Sequence, residues 1–112
     1  MDSVRLVDLA YVIRSKNSGP FELTFDVVFK DRESYRLAVA SGIFTAELFA
    51  RLYGIDVDHV LNLVFFEEAL AVKATIVRPL VSGDLGETDV YGAQQHAPLL
   101  SLAIPVRPAR EA

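Results

Sequence analysis

The chain has 112 residues, 52% of them hydrophobic, a formal charge of −4 and no cysteine. That length supplies the core of one domain without covalent staples. The lack of cysteine excludes disulfides, thiolate metal sites and thiol nucleophiles, and the acidity argues against a nucleic-acid partner, whose phosphate backbone needs a basic face. The opening residues MDSVRLVDLAYVIRSKN carry an acid at position 2 and no long apolar core. They therefore suggest neither a leader segment nor a membrane span, and the expected location is cytoplasmic. So much apolar surface in so short a chain predicts a homo-oligomer, or docking onto a larger subunit.

In chain order, residues 5–13, RLVDLAYVI, read as a buried strand, although DLAYVI can also form a single helical turn. Residues 14–20, RSKNSGP, read as a loop, because Asn17, Ser18, Gly19 and Pro20 are turn formers. Residues 21–29 alternate, with Phe21, Leu23, Phe25, Val27 and Phe29 on one face and Glu22, Thr24, Asp26 and Val28 on the other. A connection this short implies an antiparallel hairpin with the preceding strand. Asp31 offers an N-cap to a helix carrying Tyr35, Ala38 and Val39, and Gly42 ends it. Thr45 caps a second helix with an apolar stripe of Leu48, Phe49, Leu52 and Tyr53, stopped by Gly54. That stripe is expected to pack on Phe21, Phe25 and Phe29 as core.

Residues 57–66, VDHVLNLVFF, regain strand character, with His59 read as a surface or hydrogen-bonded group. Glu67 and Glu68 mark a turn, and residues 70–79 alternate again, with Lys73 and Thr75 on the face opposite Val72, Ala74 and Ile76. Residues 100–106 read as a last strand that Pro105 confines to an edge or an end. The order ββααβββ predicts a single α+β domain over residues 1–112: a mainly antiparallel sheet with two helices on one face, ferredoxin-like or a related sandwich. The far face of that sheet carries Thr24, Asp26, Lys73 and Thr75 beside Val28, Val64 and Val77. This mixture is too apolar for plain solvent and predicts a covering partner protein.

The stretch 82–100, SGDLGETDVYGAQQHAPLL, gathers acids, amides, a phenol and an imidazole between two apolar segments. These groups can cap the loop's own backbone, or they can act on a ligand. For a lyase or isomerase, Asp89, Tyr91 and His96 are the acid–base candidates, while Gln94 and Gln95 are candidate ligand contacts. A metal could draw on Asp84, Glu87, Asp89 and His96, but neither a paired-histidine motif nor a calcium-loop pattern is present, and no metal or cofactor is expected. Arg14, Ser15, Lys16 and Asn17 of the first loop, with Lys73 and Thr75, are the remaining ligand candidates, since Arg grips a carboxylate in bidentate fashion. The two loops are expected to converge on a carboxylate or thioester.

DLAYVIRSKNSGPFELTFDVVF, ALAVKATIVRP and SGDLGETDVYGAQQHAPLL together resemble the signatures of a small bacterial domain-of-unknown-function family. Its members are often encoded beside acyclic terpene utilisation (AtuA-like) proteins. More loosely, DLAYVIRSKNSG is similar to the DLA-x-ARSGDKG opening of the small ferredoxin-fold domain at the C-terminus of AtuA-like proteins, with SKNSG in place of SGDKG. The resemblance implies a detached subunit that pairs with an AtuA-like large protein in the breakdown of branched acids or their coenzyme A thioesters. A free-standing lyase or isomerase, or a structural oligomerisation module, are the alternatives.

Overall fold

In the computed structural model, residues 3–19, 21–77 and 97–106 are described. The central element is a four-stranded antiparallel sheet in the order β2-β3-β5-β4, formed by Ala10–Asn17 (β2), Glu22–Phe29 (β3), Val60–Phe66 (β4) and Ala71–Val77 (β5). A second sheet pairs Ser3–Arg5 (β1) with Ala103–Pro105 (β6), joining the two ends of the described chain. Two helices, Arg32–Ala40 (α2) and Ala46–Tyr53 (α3), follow β3, and short helical turns lie at Leu6–Leu9 (α1) and Ala97–Leu100 (α4). Strands and helices are segregated along the chain and not alternating, so the class is α+β, with the two main helices on one face of an antiparallel sheet.

The period-2 pattern of β3 places Leu23, Phe25, Val27 and Phe29 in the core, facing the helices. Phe25 stacks on Phe49 and Tyr53 of α3, with ring centroids 6.0 and 4.6 Å apart, while Phe29 meets Tyr35 and Phe44 edge-on. Burial pushes the Tyr53 phenol well above its ordinary range. Both caps form as the sequence suggests: Asp31 accepts from the Ser34 N–H at 2.7 Å, and Thr45 Oγ1 from the Leu48 N–H at 3.1 Å. Gly54 closes α3 in the left-handed region at φ 64°, where a Cβ would be penalised. Thr45→Ala is expected to cost about 1 kcal/mol in urea unfolding, the usual worth of such a cap.

Four sequence expectations are corrected. Residues 5–13 are not one strand, because Leu6–Leu9 make a helical turn that buries Leu6 and Leu9 against the core. Residues 14–17 are not loop: β2 continues through Asn17, since Arg14, Ser15, Lys16 and Asn17 each pair with a residue of β3. β2 ends at Asn17, and the Ser18 N–H donates to the Glu22 carbonyl at 2.9 Å where the two strands join. Phe21 lies outside the core, 59% exposed at the hairpin tip. The last strand is shorter than residues 100–106 and pairs with β1 instead of extending the main sheet.

Beyond β4 the chain turns over residues 67–70, with Leu70 held at φ 54° while its side chain packs against the core. Glu67 anchors this turn to α2, accepting from Arg36 at 2.6 Å and Arg32 at 3.0 Å. The hydrogen bonds from Arg36 and then Arg32 hold its carboxyl below the usual carboxylate range. A carboxyl lowered in the folded state binds its proton more tightly when unfolded. Its contribution is therefore complete above the unfolded pKa of about 4.3 and is lost as pH falls through the folded value. Glu67→Gln is thus expected to flatten the acid limb of the stability–pH curve, as followed by melting temperature.

Candidate functional site

The sheet face turned away from α2 and α3 is organised in rows across the strands. One row runs Arg14, Asp26, Lys73, Val64, and the next runs Lys16, Thr24, Thr75, Asn62. On the far side of the charged row lie Val12, Val28, Ala71 and Phe66. Neighbouring strands stand about 4.8 Å apart, so side chains within a row touch or nearly touch. Asp26 is the one carboxylate of the two polar rows; it accepts from Arg14 Nε at 3.1 Å, and Lys73 stands beside it on the next strand. Within these two rows three cations stand with one acid, and exposed Glu22 continues the same face beyond Thr24, opposite Val77, so the described cations outnumber the acids by three to two.

Below this charged row the hydroxyls form a chain. The Thr24 hydroxyl bonds that of Ser18 and lies 3.4 Å from that of Thr75, while Thr24 itself is buried. The chain fixes the hydroxyls between Lys16 and Asn62. Cations of this kind can hold a carboxylate or another oxyanion by charge-assisted hydrogen bonds, and the half-buried Thr75 hydroxyl stands in the row beside them. The face is flanked by valines and Phe66, and the described residues on it include no histidine. His59 sits exposed in the 3-10 turn Val57–His59 before β4.

Of the residues predicted from sequence, Arg14, Lys16, Lys73 and Thr75 come together on this face. Ser15 and Asn17 fall on the other side of β2, opposite Phe25 and Leu23, and Ser15 is buried there. Asp89, Tyr91, Gln94, Gln95 and His96, and with them the expected convergence of two loops, lie outside the described residues. Asp26 and Thr24 are the additions that the register makes to the predicted ligand set. Their signal was present in the sequence as an acid and a hydroxyl on the polar face of the best-alternating strand. Among the described residues, no three of His, Asp and Glu lie close enough to hold a metal ion. None of the described helices is long and apolar enough to cross a membrane.

A family model described as a domain of unknown function (DUF4387) matches residues 6–103. The chain belongs to that family. The match runs from α1 to the start of β6, so the four-stranded sheet, both main helices and the rows of its outer face all fall within the family's domain. No curated protein and no solved structure matches the chain.

Proposed function

We propose that this member of the DUF4387 family is a small accessory subunit, which docks through the outer face of its sheet onto an AtuA-like large protein. The assembly acts on branched acids or their coenzyme A thioesters. The observation that carries this reading is the composition of the outer face: a cationic, hydroxyl-lined centre of Arg14, Lys16, Lys73, Thr24 and Thr75 beside an apolar row of Val12, Val28, Ala71 and Phe66. An apolar flank favours a protein partner, and a positive centre favours an acidic ligand or an acidic patch on that partner. The resemblance of DLAYVIRSKNSG to the opening of the AtuA-like small domain supplies the partner's identity, and the chemistry of that pathway supplies the substrate class.

Co-expression with an AtuA-like large protein tests the proposal. The two chains are expected to co-purify, and the complex to turn over branched acyl thioesters that neither chain processes alone. Lys73→Glu places a like charge beside Asp26 on an exposed position and is expected to weaken capture by about tenfold, equivalent to 1.4 kcal/mol. Failure of the two chains to co-purify under low salt would overturn the proposal.

A further inference from the structure

We draw no further inference here: the strongest candidate, the apolar groove along the start of β2 between α1 and α4, lined by Val7, Tyr11, Val12, Ile13 and Leu100, carries none, because nothing among the described residues shows what covers it.

Discussion

Replacing Phe25 by alanine is expected to cost about 3–5 kcal/mol, the range for an aromatic removed from a closed core. Its side chain is almost wholly buried at the centre of β3, one of the two inner strands of the sheet, and it touches the rings of both Phe49 and Tyr53. Across the sheet Phe25 stands between Ser15 and Ala74, two small groups that leave room for one large ring. The loss therefore combines the transfer of the ring to water with a residual cavity. A domain of this size typically has about 5–15 kcal/mol in all, so the variant should melt far below the wild type or fail to accumulate. Chemical denaturation with an unchanged m-value and a large drop in midpoint is the expected result, and wild-type-like melting would remove Phe25 from the core.

The second large effect is expected at Ile104. Pro105 and the brevity of β6 would suggest a dispensable edge, yet Ile104 is fully buried and pairs with Val4, and the Leu6 N–H donates to the Leu102 carbonyl at 2.9 Å. Leu6, Leu99 and Ile104 together close one end of the core. Ile104→Ala is expected to cost about 2–5 kcal/mol by the same transfer-plus-cavity argument. It should also open the region locally. Amides of residues 3–10 are expected to exchange faster in the variant by a larger factor than those of β3 and β5, because this part of the core rests on fewer strands. Uniform acceleration across the whole chain would instead mean that the small sheet and the main sheet unfold as one unit.

Outer-face substitutions should behave differently from both. Arg14→Ala removes an exposed partner of Asp26 and is expected to change stability by less than about 1 kcal/mol, as surface ion pairs generally do. The same change removes the guanidinium best suited to grip a carboxylate. The expected signature is a near-normal melting temperature together with weakened capture by the partner.

How much of this was legible beforehand follows from which interactions are local. The alternation of β3 and β5, the two capped helices, the left-handed stop at Gly54 and hence the α+β class are legible in the residues alone, because period, cap and turn are written within a few positions. The same alternation shows that Lys73 and Thr75 face away from the core, as does Asp26. That residues 14–17 are strand depends on long-range pairing, since RSKN has turn-forming composition and becomes extended by pairing with Asp26, Phe25, Thr24 and Leu23. The same holds for Leu6–Leu9, whose helical turn lets Leu6 and Leu9 reach a core completed by Leu99 and Ile104 from the far end of the chain. Arg14, Asp26, Lys73 and Val64 sit on four different strands, and their meeting in one row is a matter of register. Register is set by the summed burial of the opposite face, a property no single segment carries.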